Sequence, residues 1–90
     1  MLYRVIVETA AQRQINKLGF RQNDPVVTAI LALRENPRPK GTLKLVGSEQ
    51  LWRVRVGQYR IIYSIDDSEA IVRVVRVVRR SEDTYKDLWN

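Results

Sequence analysis

The residues of this sequence best suited to chemistry are the arginines of two neighbouring runs, LWRVRV and YRIIYSI. In an extended chain, alternate side chains point to opposite faces, so Arg53 and Arg55 share one face while Trp52, Val54 and Val56 share the other. If the hairpin after Val56 closes with an even number of loop residues, Arg60 joins Arg53 and Arg55. A guanidinium is a planar fork that meets two phosphate oxygens at once, so such a cluster would grip a phosphodiester. The plainer reading of the same residues is a solvated open sheet face. Against it, no acidic residue lies between Gln50 and Ser64, and uncompensated like charges cost a repulsion that a purely structural surface need not carry.

The later run AIVRVVRVVRR adds Arg73, Arg76, Arg79 and Arg80. Odd and even positions diverge in a strand, so these four cannot all serve one face. Arg80, at the end of the run, is the one expected to reach a cleft. Arg76 and Arg79, with Lys40 and Lys44 in the loop before the sheet, are candidate contacts to a longer polyanion. Tyr85 is either a packing group of a terminal helix or a platform on which a base stacks. Trp52 and Trp89 read as core and edge residues, and Tyr59 and Tyr63 as sheet packing.

Composition removes most other chemistries. The chain has no cysteine and no histidine, which excludes disulfides, thiolate zinc sites and Ser-His or Cys-His nucleophiles. No metal and no cofactor is expected, and carboxylates, tyrosines, lysines and arginines are left to act. Sixteen Lys and Arg against ten Asp and Glu give a net charge of +6, which favours an anionic partner. By segment the balance is +2 over residues 1–37, +6 over 38–80 and −2 over 81–90, so the positive field belongs to the middle and late chain.

The elements that must position these groups follow from periodicity. LYRVIV reads as a strand from Leu2 to Val7, followed by a short helix capped by Thr9 and ended by Gly19. Asp24-Pro25 reads as the start of a second helix that Pro37 stops. From Leu51 the period changes to two, predicting a three-strand antiparallel meander with the short loops GQ and DDSE, then a short terminal helix around Tyr85. Ninety residues make one domain, 1–90, with a modest core. The expected fold is α+β: a small antiparallel sheet, formed by the N-terminal strand and the meander, packed against two N-terminal helices, with its other face open for binding. The opening MLYRVIVETAAQ holds too short an apolar run for a signal peptide or membrane span, so a cytoplasmic protein is expected.

LKLVGSEQLWRVRVGQYRIIYSIDD followed by VVRVVRRSEDTY resembles the RelE/ParE superfamily of toxins from type II toxin-antitoxin modules. The resemblance spans nearly the whole chain and centres on the L-W-R-V-R-V-G-Q-Y-R-I-I-Y strand pair, with a late arginine, Arg80, and a tyrosine five positions on, Tyr85. It implies a RelE-like fold and, for RelE-like members, entry into the ribosomal A site and cleavage of messenger RNA by attack of a ribose 2′-hydroxyl on the adjacent phosphate, without metal. It also implies roles: Arg53, Arg55, Arg60 and Arg80 on the scissile phosphate, and Tyr85 stacked on a base. Implied partners are a cognate antitoxin, the ribosome with its mRNA, and operator DNA bound by the toxin-antitoxin complex. Two departures stand out. Relatives often carry lysine at one or both paired positions, and arginine is a poor general base, which leaves Arg55, Tyr85, Lys44 or a ribosomal group to accept the proton. Arg79 stands where many relatives have His or Lys. The alternatives are a ParE-like DNA gyrase inhibitor without nuclease activity and a basic module that binds nucleic acid without cutting it.

Overall fold

The computed structural model describes residues 2–47 and 50–79, the side chains of residues 20–23 excepted. In chain order the elements are β1 (Arg4–Val7), α1 (Thr9–Lys17), α2 (Phe20–Ala32), β2 (Leu43–Lys44), β3 (Leu51–Val56), β4 (Tyr59–Asp66) and β5 (Ile71–Arg79). The strands form one five-stranded sheet in the order β1-β5-β4-β3-β2. This is the expected α+β architecture, with one change of character. The meander β3-β4-β5 is antiparallel, but β1 lies parallel to β5, with Val5 abreast of Val72 and Val7 of Val74, so the sheet is mixed. The two helices between β1 and the meander make the crossover that a parallel pair requires.

Apolar alternation sorts the sheet into two faces. Val54, Ile61, Tyr63, Val72, Val74 and Val77 turn toward the helices and meet Ala11, Ile15, Val26, Ile30 and Leu33, forming the main core. Burial of each larger member contributes about 1.5–3 kcal/mol. Tyr63 sits at 0% exposure, its hydroxyl donating to the Pro37 carbonyl at 2.7 Å and lying 3.3 Å from Thr42 Oγ1. Burial pushes its pKa up. The opposite face is less open than expected. Leu45, Ile62 and Val78 are buried there in a second apolar cluster, with Leu51 against it.

Local readings differ from the structure at element ends. The first strand begins at Arg4 rather than Leu2, and Thr9 is the first helical residue, with Glu8 at the cap position and no side-chain cap. The second helix begins at Phe20, so Pro25 lies inside it. Its fixed φ suits a helix, and near the start its missing N–H costs one bond, to the carbonyl of residue 21. This helix ends at Ala32, ahead of Pro37. Residues 43–44, expected in a loop, form β2, with Lys44 abreast of Trp52. The expected terminal helix lies outside the described residues.

Candidate nucleic-acid interface

The hairpin joining β3 and β4 fixes the arginine face. Val56 pairs with Tyr59 across the two-residue turn Gly57-Gln58, an even loop, and Arg55 therefore stands directly opposite Arg60. Gly57 takes φ +57°, a backbone conformation that the first position of such a tight turn requires. Arg53 is two residues along β3 from Arg55, abreast of Ile62, so Arg53, Arg55 and Arg60 share one face as the spacing predicts. The Cβ atoms of a directly opposed pair such as Arg55 and Arg60 lie about 4.5–5.5 Å apart, and like charges so placed are unfavourable. Arg60 is the buried charged side chain of the described residues, 9% exposed, whereas Arg53 is half-buried and Arg55 exposed.

The register of β4 and β5 adds to this face. Ile62 pairs with Arg76 and Tyr63 with Val74, so Val75 is an extra residue, a β-bulge. The bulge switches the alternation within β5 and puts Arg73 and Arg76 on the same side, that of Arg53, Arg55 and Arg60. The sequence rule that odd and even positions diverge fails here for that reason. Arg76 donates from one terminal nitrogen to the Val75 carbonyl at 2.8 Å, which ties its guanidinium to the strand. Arg73 was not among the candidates, and no local pattern marks a bulge inside IVRVVRVV.

Other candidates lie elsewhere. Arg79 pairs with Tyr59 on the helix side, where both line a cleft of about 610 Å³ with Gln14, Lys17 and Leu18. Lys44, abreast of Trp52, also belongs to the helix side, and its Nζ lies 5.7 Å from the indole centroid. Lys40 is exposed in the turn before β2. Arg80 and Tyr85 lie outside the described residues.

A second polar group at the sheet's far end escaped the sequence. Asp67 accepts from both terminal nitrogens of Arg38, at 3.2 and 2.9 Å, and from the Tyr3 hydroxyl at 2.7 Å. The Arg38 guanidinium carbon lies 5.1 Å from the Trp52 ring centroid. Hydrogen bonds from Arg38, then Tyr3, hold the Asp67 carboxyl below its usual range, and the bond to Asp67 holds the Tyr3 phenol above its own. Arg38 and Asp67 form an exposed ion pair, and no carboxylate among the described residues pairs with Arg53, Arg73 or Arg76. No three His, Cys, Asp or Glu side chains of the described residues stand close enough to hold a metal. No helix among these residues is long and apolar enough to cross a membrane.

A five-stranded mixed sheet with two helices is the fold of solved RelE structures. The family model of the ParE toxin of type II toxin-antitoxin systems matches residues 4–84, and the chain belongs to that family, within the RelE/ParE superfamily. Toxin RelE of Mycobacterium tuberculosis is 30% identical over 80 residues, covering 88% of this chain and 82% of that one. The toxin-antitoxin complex RelBE2 of the same organism contains a chain that is 31% identical, with a TM-score of 0.77 over 89% of this chain and 100% of that one. The archaeal RelE-RelB complex of Pyrococcus horikoshii OT3 gives a TM-score of 0.79 at 24% identity, over 91% and 99%, a likeness of fold.

Proposed function

We propose that this toxin is a ribosome-dependent endoribonuclease that cuts messenger RNA in the A site and so stops translation. The observation that carries this reading is the convergence of Arg53, Arg55 and Arg60 on one sheet face, with two of them directly opposed. A surface serving only solubility gains nothing from that opposition. The ribose 2′-oxygen bonds to phosphorus while the P–O5′ bond breaks, leaving a cyclic phosphate and a free 5′-hydroxyl. Guanidinium forks aimed at the phosphate oxygens oppose the extra negative charge of the transition state. Half-buried surroundings strengthen that interaction relative to water. Arg80 joins the phosphate contacts and Tyr85 stacks on a base to hold the attack geometry, both by resemblance. Arg76 and Lys40 extend the contacts to RNA or ribosome. Lys44 and Arg79, on the helix side, would reach a different part of the ribosome from the arginine face. The 2′-hydroxyl proton goes to Tyr85 or a ribosomal group, because a guanidinium holds its own proton at neutral pH.

The chain acts in the cytoplasm and is held in check by a cognate antitoxin, acidic or amphipathic, that wraps the sheet face. Solved relatives in complex with antitoxins support this partner, and the net charge of +6 suits it. The toxin-antitoxin pair binds its own operator DNA.

Induction of the protein in cells, with mapping of mRNA 5′ ends, tests the reading. Codon-positioned ends are expected, falling about 10²–10³-fold in Arg53→Ala or Arg60→Ala. The ParE match favours a second reading, inhibition of DNA gyrase. Intact mRNA together with gyrase-linked DNA breaks would establish it and end the nuclease proposal.

A further inference from the structure

The arginine face does not stop at the hairpin. Register across the sheet sets its side chains in rows: Arg55 beside Arg60 and Val78; then Arg53, Ile62 and Arg76; then Leu51, Ser64, Arg73 and Ile6; then Asp66, Ile71 and Arg4. Arg60, Arg76, Arg73 and Arg4 therefore descend in a diagonal file from the β3–β4 turn to the β1 edge, each one row from the last. Rows are two residues apart, about 6.6 Å, so the file runs about 20 Å along the strands. The Val75 bulge makes this continuity, since without it Arg73 and Arg76 would face opposite ways. Arg4 and Arg73 are exposed, and neither pairs with a carboxylate among the described residues. Asp67 pairs with Arg38 and accepts from Tyr3, and Asp66, on the row of Arg4, accepts from the Ser68 hydroxyl and the Glu69 amide.

We propose that Arg76, Arg73 and Arg4 form a phosphate track that continues from the Arg53, Arg55 and Arg60 cluster and carries the backbone of single-stranded RNA flanking the nucleotide held there. A file of guanidinium groups suits a chain whose charge repeats along its backbone. Of the large exposed apolar side chains, Leu2, Leu31, Leu43 and Val46, only Leu43 belongs to these rows, at the opposite edge beside Arg53, so the exposed groups along the file are its guanidiniums. The track rests on the nuclease reading for its connection to a scissile phosphate. Its own chemistry is recognition of a phosphodiester backbone.

The test is binding of labelled oligoribonucleotides of three and nine residues to the full chain over a range of salt. The nine-residue strand is expected to bind more tightly and with a steeper salt dependence. Each phosphate contact to a single strand adds about 0.7 to the slope of log K against log salt, so Arg4→Ala/Arg73→Ala should lower that slope by about 1.4 for the long strand. The three-residue strand should be unaffected, and Arg4→Lys/Arg73→Lys should retain most of the slope. Arg13→Ala/Lys17→Ala removes the same charge from the helix side and should change the slope far less. Equal losses in the two double-alanine variants, or an unchanged slope in Arg4→Ala/Arg73→Ala, would overturn the track. Codon-positioned mRNA ends without the slope change would leave the nuclease reading standing alone. The slope change without such ends would leave the track and remove the nuclease.

Discussion

Asp67 shows what a single exposed residue contributes when its partners are fixed. Its carboxyl is held below the usual range by the bonds from Arg38 and then Tyr3. A carboxylate whose folded pKa is depressed adds stability that is fully present above its unfolded pKa, about 3.9, and is lost as pH falls through the lower folded value. Tyr3 runs the other way: its raised pKa adds stability below about 10 that is lost as pH rises through the folded value. Asp67→Asn should therefore lower the urea midpoint slightly at pH 7, with the gap to the parent closing below about pH 4. A gap unchanged between pH 7 and pH 3 would mean that the charge on Asp67 contributes nothing. Because the pair is exposed, the effect should also shrink in high salt. At this scale the sequence is legible where the rule is local. Arg53 and Arg55 share a face by parity alone, and Arg60 joins them once the turn is even. Arg38 and Asp67 stand 29 positions apart with no pattern to connect them. The burial of Arg60 was equally hidden, because it depends on what packs over the face.

The hairpin turn is the element that converts spacing into a site. Gly57 adopts φ +57° with open space where a Cβ would be, so a substitution there meets backbone strain and no clash. Gly57→Ala should cost about 1–3 kcal/mol of stability in a denaturant titration. If the turn also sets the pairing, the titration should remain a single transition. A cost near zero would show that the turn relaxes to another type, and the Arg55–Arg60 opposition would then need another cause. Elements were readable where one residue dominates the pattern, as in the period-two meander and its GQ loop. They were misread where a residue has two uses. Asp24-Pro25 can open a helix, but proline is also tolerated close to the start of one, and the helix gains a turn by beginning at Phe20. The Val75 bulge left no local signal, since an extra valine in a run of valines keeps every apolar count the same.

At the scale of the whole molecule, topology decides where charge accumulates. Pairing β1 in parallel with β5 brings Arg4 to the same face as residues about 70 positions later in the chain. A strand's own periodicity does not name its partner, so this placement was beyond the sequence, although the charge excess of residues 38–80 was not. The helices cover one face with the main core, leaving Arg4, Arg53, Arg55, Arg60, Arg73 and Arg76 on the other. A chain of net charge +6 with that distribution offers one surface to both RNA and an acidic antitoxin, so the two should compete. Adding the antitoxin to toxin loaded with a labelled nine-residue oligoribonucleotide should release the oligonucleotide, with apparent affinity for the antitoxin falling as the oligonucleotide concentration is raised. The competition should weaken for Arg4→Ala/Arg73→Ala, in which the RNA has already lost part of its footing. A stable complex containing toxin, antitoxin and oligonucleotide together would place the antitoxin elsewhere, with the cleft of Gln14, Lys17, Tyr59 and Arg79 on the helix side as the next surface to examine. Neutralisation would then have to act by keeping the toxin from the ribosome while its phosphate contacts remain exposed.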